Sequence, residues 1–598
     1  MSEPDSNATR RIPLDFDAKG NPIFRSALSP ESFKPRAHCI APPIHTIPII
    51  FVPGIMGSNL KVKGKDEKAW RPPNGTIEGI KEVKARIKQE PTDRQAQLNP
   101  FNTEVDRNGT IAIPHDHYTI TEKGARIRGW GEVHWEGYGN IMLELERALN
   151  DQYEDPGTKR ATLMPIWKLA QAIKQETRDH WNPKPAENLT DLTAEQFLRM
   201  DDYFYPVWAC GYNWMDSNEK SAETLLRRID EALTWYEKSE YFVPEGRVIL
   251  VTHSMGGLVA RRTAQQHPAK ILGIMHGVQP VMGAPVVYRR FRAGTESDGF
   301  FDVAGKLAAV VLGWDAADVT CVLAHSPGAL ELLPTKDYPK EWLKIQDADK
   351  QTLAALPKAD PFPEQCTDPS VDLRADPYSQ IYATRVQDVW WGMVDETLID
   401  PAGKVLEKTP FQVYEQALTD AKEFHDKLGL YFHPNTYAHY GVDAGQKTFH
   451  TVRWRLGPSY GNRSPGVTPA QADDLMKLPA KTWTTLGRAT LDIGGEEVMF
   501  KLAGKDGPGD ATVPEPSGAK VAEMGLKLTF KLDGFQHAFS YNNRHVLDST
   551  AYSIGRIVQD AKPIKELPKG NKGCSPPPGT SFPASSEEPS SSADMQQA

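Results

Sequence analysis

The stretch Arg247–Gly257, RVILVTHSMGG, carries the residue types of covalent acyl transfer. A serine hydroxyl is a weak nucleophile until a neighbouring base takes its proton and backbone donors hold the oxyanion it creates. Here a β-branched run ends at Val251, the turn Thr252-His253-Ser254-Met255-Gly256 follows, and a helical pattern begins at once. At such a strand-to-helix corner the serine takes a strained φ/ψ. Small residues two positions to either side let strand and helix approach, and Oγ projects above the sheet. Thr252 stands where the first glycine of that pattern usually sits, and its compactness makes it tolerable. The plainer reading is a strand–turn–helix whose buried serine caps the helix. The strand before Ser254 and the Gly-Gly and helix after it are the context that the catalytic reading requires.

The partners of a serine nucleophile can be sought by position. An oxyanion hole takes one N–H from the residue after the nucleophile, Met255, and a second from the loop after an earlier strand. Pro53-Gly54-Ile55-Met56-Gly57 is a glycine-bracketed turn directly behind the apolar run Ile47–Val52, so Gly54 and Ile55 are the candidates. An acid and a base should follow the serine in chain order. Asp510, in the loop GPGDATVPEPSG, is the candidate acid, and His537, 27 residues on and just after TFKLDGF, is the candidate base. His545 is the reserve base, and Asp506 and Asp443 are the reserve acids. His115-Asp116-His117 has no companion cluster, so no metal site is assigned. Trp390-Trp391 and Gly211-Tyr212-Asn213-Trp214 suit a core better than a cofactor box.

These residues must be positioned by a sheet. Ile47–Val52, Tyr203–Tyr212, Arg247–Ser254 and Ile271–Val281 read as strands, several of them continuous apolar runs of the kind buried on both faces. Between the second and third, Leu225, Ile229, Leu233 and Tyr236 recur on one helical face. Alternating strand and helix predicts an α/β fold with a mostly parallel sheet flanked by helices. Residues 60–128 and 286–445 lack strand pattern and are expected to be insertions, forming a cap or lid at the carboxyl edge of the sheet. The expected organisation is an arm over 1–41, core over 42–285, cap over 286–445, a second core part over 446–567 and a disordered tail over 568–598. The most apolar part of the cap, Phe301–Trp314, could present Leu307, Val310, Val311 and Trp314 to lipid, or could equally be a core helix.

Composition narrows the class. Across 598 residues, 69 Lys and Arg stand against 78 Asp and Glu, a net charge of −9, without the basic footprint of a nucleic-acid binder. At 39% hydrophobic the chain can bury a large core. No apolar run approaches the roughly 20 residues of a membrane span, and the first twenty residues hold no apolar h-region of a Sec signal. Cys39, Cys210, Cys321, Cys366 and Cys574 lack metal-ligand or CxxC spacing and are expected to be reduced and structural.

VPGIMGSNL, GWGEVHWEGYGNIM, WACGYNW, VTHSMGGLVAR, SPGALELLP and GDATVP followed by His537 run in order from about residue 47 to 560. As a set they resemble the lipase branch of the α/β-hydrolase superfamily that includes lecithin–cholesterol acyltransferase-like and PGAP1-like proteins. VWACGYNW, HPNTYAHYG and the long insertions look most like the antibacterial lipase effectors of type VI secretion. The resemblance implies an α/β-hydrolase fold with a Ser254–Asp510–His537 triad and an oxyanion loop at Gly54–Ile55. It implies a lipase or phospholipase acting on membrane phospholipid esters in a target cell's periplasm. It further implies a cognate immunity protein and type VI spike or adaptor partners, in a protein made in the bacterial cytoplasm. No cofactor is required by that chemistry, which leaves room for a structural calcium ion. The rival expectations are an esterase or acyltransferase on a non-membrane ester, and a non-catalytic scaffold of the same fold.

Overall fold

In the computed structural model, the continuous apolar runs become the centre of a seven-stranded sheet. Its strands are β1 (Ile49–Val52), β2 (Pro183–Lys184), β3 (Val207–Ala209), β4 (Val248–His253), β5 (Ile271–Gly277), β6 (Thr436–Gly441) and β7 (Leu528–Leu532). Their order is β2-β7-β6-β5-β4-β1-β3. All neighbours are parallel except β2, which pairs antiparallel with β7 at one edge. Every residue of β1, β4 and β5 is buried, as a parallel strand covered on both faces requires. The structure describes residues 10–25, 37–71, 89–115, 117–154, 162–295, 313–358, 376–405, 407–457 and 472–562. Residues Met1–Asp560 form one compact unit; of the second, Ala561–Ala598, only Ala561 and Lys562 are described.

Five helices serve the sheet: α1 (Trp135–Asn150), α2 (Asn218–Glu237), α3 (Gly256–Gln266), α4 (Val286–Ala293) and α5 (Arg544–Val558). Ser217 starts α2 by accepting the Lys220 N–H. Leu225, Ile229, Leu233 and Tyr236 are all buried, so the apolar period of that segment is its inward face. α3 packs on α2 and β4, and α5 on β5 and β6. The stretch Tyr203–Tyr212 does not form one strand. Pro206 has no N–H to give a ladder, and the chain divides there. Tyr203–Phe204 joins a small sheet with His45–Thr46 and Val243–Pro244, while Val207–Ala209 enters the main sheet as β3.

Two expected boundaries move. β6 lies inside 286–445, between β5 and β7, so the main sheet reclaims residues 436–441 from the stretch read as cap. Conversely, much of 446–567 leaves the main sheet. Val452–Leu456, Thr482–Thr484, Arg488–Ile493 and Glu496–Leu502 join Leu343–Gln346 and Thr352–Leu356 in a separate six-stranded sheet. The reason is visible in the pattern. In Val452–Leu456, buried Val452, Trp454 and Leu456 alternate with Arg453 and Arg455, the signature of a sheet with one covered face. Trp390 and Trp391 are core residues beside this sheet. The Trp390 ring lies 5.5 Å from that of Trp454, and the two indole N–H groups donate to the Leu475 and Met476 carbonyls.

The segment 60–105 is not bare of strands. Leu60–Val62 pairs with both Lys68–Trp70 and Thr103–Val105. The N-terminal arm is pinned where it is described. Phe16 is buried with its ring 6.4 Å from Phe204 and 6.3 Å from Phe242. Leu307, Val310 and Val311, Cys366 and Cys574, and the tail 568–598 lie outside the described residues; Trp314 is described and 41% exposed. No helix among the described residues is long and apolar enough to cross a membrane.

Candidate active site

The corner between β4 and α3 is built as a nucleophile elbow. Ser254 has φ +52°, a left-handed conformation costly for a residue with a Cβ. It is held there by its own N–H donating to the Gly277 carbonyl (2.8 Å) and its carbonyl accepting the Gly257 N–H (2.9 Å). Gly256 is required by contact: a Cβ there would lie 2.4 Å from the Pro53 carbonyl oxygen and 2.5 Å from that of Val52. Thr252 occupies the other small position. It is fully buried, and its Oγ1 is paired with His276 Nδ1 at 2.9 Å, so the hydroxyl is satisfied inside the sheet.

Asp510 and His537 come from loops after the second sheet and after β7. His537 Nδ1 lies 2.8 Å from Asp510 Oδ2. Because a carboxylate accepts, Nδ1 carries the proton, which leaves Nε2 as the acceptor. Asp510 Oδ1 accepts the N–H of Thr512 (3.1 Å) and of Val513 (2.7 Å), so both carboxylate oxygens are engaged in a buried setting. The His537 N–H also donates to the Asp510 carbonyl (2.8 Å), joining the two loops through the backbone.

Ser254 and His537 line the same cleft, which encloses about 1240 Å³ of empty space, part of it open to solvent. Among the described residues neither Ser254 Oγ nor His537 Nε2 has a hydrogen-bond partner, and such gaps in a free enzyme close when substrate arrives. The reserve residues are used elsewhere. His545 stacks on His180 with ring centroids 4.6 Å apart. Asp506 accepts from the His450 and Thr451 backbone, and Asp443 from the Gly445 and Gly534 N–H groups.

The loop after β1 lies against the serine. A Cβ on Gly54 would be 2.8 Å from Ser254 Cβ, so only glycine permits this approach. Gly54 nonetheless does not supply the oxyanion N–H, since that group donates to Tyr138 Oη (3.2 Å). The amides of Ile55 and Met255, which donate to no group among the described residues, are the pair left for an oxyanion. Met56 takes φ +62° to turn the loop, and its carbonyl accepts the Trp70 indole N–H at 2.7 Å.

No protein-family model and no curated protein matches the sequence. A solved structure does. A chain in the crystal structure of the Tle4–Tli4 complex is 30% identical, and the match spans 86% of this chain and 99% of that one with a TM-score of 0.71. The chain belongs to the Tle4 family.

Several further residues line this Tle4-family site, and of them Trp70, Val286, Val287, Arg290, Lys505 and Phe539 lie outside the motifs. Trp70, Val286, Val287, Leu332 and Phe539 make its walls apolar, and Arg290 on α4 and Lys505 bring two cations to them. His134 also lines the cleft. It is buried, its Nε2 has no hydrogen-bond partner among the described residues, and burial pushes its imidazole down to about 4, so it is neutral at pH 7. Tyr138 and His253 lie beneath the loop. His134 and Tyr138 fall within GWGEVHWEGYGNIM and His253 within VTHSMGGLVAR, but nothing in those stretches says that they meet. Among the described residues, no cluster of three or more His, Cys, Asp or Glu is placed to hold a metal ion.

Proposed function

We propose that this chain is a serine lipase that hydrolyses membrane phospholipid esters, delivered by type VI secretion as an antibacterial effector into the periplasm of a target cell. The observation that carries the enzymatic part is the strained Ser254 sharing a cleft with a His537 whose Nδ1–H is committed to Asp510. His537 Nε2 takes the Ser254 proton as Oγ attacks the ester carbonyl, and the Ile55 and Met255 N–H groups stabilise the oxyanion. Asp510 holds the imidazolium. The proton then passes from Nε2 to the leaving alkoxide, the acyl chain stays on Oγ, and a water activated by the same nitrogen releases the fatty acid. Apart from the water, every catalytic group in this sequence comes from the chain, so the reaction as proposed calls for no metal or organic cofactor.

The substrate class rests on the walls. Apolar side chains suit an acyl tail, and the charged Arg290 and Lys505 beside them suit an amphiphile with a polar head group. Membership of a family with a member solved as the Tle4–Tli4 complex supports an effector role and a cognate protein partner, which we take to be an immunity protein. The test is hydrolysis of phospholipid vesicles by the wild type and by Ser254→Ala, with target-cell killing followed in parallel. The serine has no stand-in, so the variant should lose at least about a thousandfold in rate and all toxicity. Toxicity retained by a hydrolytically dead variant would favour a binding scaffold. Activity confined to short soluble esters would favour an esterase.

A further inference from the structure

Beneath the cleft runs a buried chain of hydrogen bonds whose direction can be worked out from its ends. The His537 carbonyl can only accept, so His253 Nε2, 2.8 Å away, must carry a proton and donate it. Full burial holds the His253 ring well below its ordinary pKa and therefore neutral, so its Nδ1 is an acceptor. Tyr138 Oη lies 3.1 Å from that Nδ1 and must donate to it. Its remaining lone pairs accept the Gly54 N–H at 3.2 Å. The Tyr138 ring is wedged in place, with its centroid 4.9 Å from that of Phe51 and 5.3 Å from that of His253. One end of the chain is the oxyanion loop and the other is the peptide of the base.

We infer that Tyr138 and His253 are positioning residues that couple the oxyanion loop to the catalytic histidine, a role that rests on the serine-hydrolase reading above. At the loop end, Tyr138 removes the Gly54 N–H from competition and sets the turn so that Ile55 presents its amide. The positive φ of Met56 and the absent Cβ of Gly57, which would lie 2.7 Å from Tyr138 Oη, show how tightly the loop is drawn over this hydroxyl. At the other end, the His537 backbone is held on both sides, its N–H by the Asp510 carbonyl and its C=O by His253. A shift of either anchor would therefore reach both the group that stabilises the oxyanion and the group that moves the proton. Catalytic geometry is sensitive to displacements of this size.

The test uses the full chain, a short soluble ester, and a trifluoromethyl ketone that Ser254 adds to as a tetrahedral analogue. Tyr138→Phe keeps the ring and deletes both hydrogen bonds. It should lower kcat about tenfold or more, leave KM within about threefold, and weaken the ketone by the same factor as kcat, because the loss falls on the oxyanion. His253→Gln, which can still donate to the His537 carbonyl, should retain more kcat than His253→Leu. Wild-type kcat in Tyr138→Phe, or a fall in kcat with ketone affinity intact, overturns the coupling. Should Tyr138→Phe fail to fold, equal kcat in the two His253 variants overturns it instead. Undiminished ester hydrolysis by Ser254→Ala would overturn the site reading itself, a result separate from any outcome at Tyr138.

Discussion

The two large sheets of this protein use the same residue types in opposite patterns. In the main sheet, Val248–His253 is buried at every position, and the strand runs directly into a strained serine. In the second sheet, Arg488–Ile493 buries Ala489 and Leu491 while Arg488 and Asp492 are exposed. A strand covered on both faces has no freedom to shift, so its carboxyl end is a fixed point from which a nucleophile can be aimed. A strand covered on one face stabilises the domain but carries no such point. Ser254 and the Pro53–Gly57 loop sit directly at ends of the main sheet, and Asp510 meets His537 on a loop tied to it by a backbone hydrogen bond. The second sheet supplies packing, and the chain that leaves it after Leu502 carries Lys505 and Asp510 to the cleft side.

The sharpest test of that contrast is on the catalytic side. Asp510→Asn and His537→Ala should each cost about three to four orders of magnitude in kcat/KM while the protein stays folded, read by ester hydrolysis beside circular dichroism. Loss of comparable size in His545→Ala would move the base to α5. On the packing side, Leu491→Ala should cost about 2–5 kcal/mol in urea unfolding, since Leu491 is fully buried. Its kcat/KM per folded molecule should be preserved, and a collapse of activity without unfolding would break the division of labour.

Acid should act on the main sheet and its site. Burial depresses His134 to about 4, His439 on β6 to about 3 and His253 well below its ordinary value. A folded-state value below the unfolded one, near 6.5, means that the unfolded chain binds more protons as pH falls. The stabilisation is complete above about pH 6.5 and is lost progressively toward about pH 3. The urea midpoint should therefore fall over that window, and His439→Gln should flatten the slope. An unchanged slope in that variant would exclude His439 as a source of the effect.

The smallest effect concerns the walls. Arg290→Gln should lower kcat/KM for an anionic phospholipid about tenfold more than for an uncharged acylglycerol, a difference of roughly 1.4 kcal/mol. An equal loss on both substrates would show that Arg290 serves structure and not phosphate.

What this sequence determined by itself is a continuous apolar run and a turn that tolerates only small residues, each written within a dozen residues because backbone geometry is set by neighbours. The order serine, aspartate, histidine spans residues 254 to 537, and chain order alone made Ser254, Asp510 and His537 the candidates. The setting of the loop after β1 is not written so locally: the Gly54 N–H donates to Tyr138, 84 residues away in sequence, and His253 holds a carbonyl 284 residues away. The same holds for Thr436–Gly441, whose neighbours β5 and β7 are distant in the chain, and for Trp70, Arg290 and Lys505 in the cleft walls. No period or motif names the partners in such contacts, because the energy that selects them is gained only when remote segments are packed and their polar groups must find partners out of water.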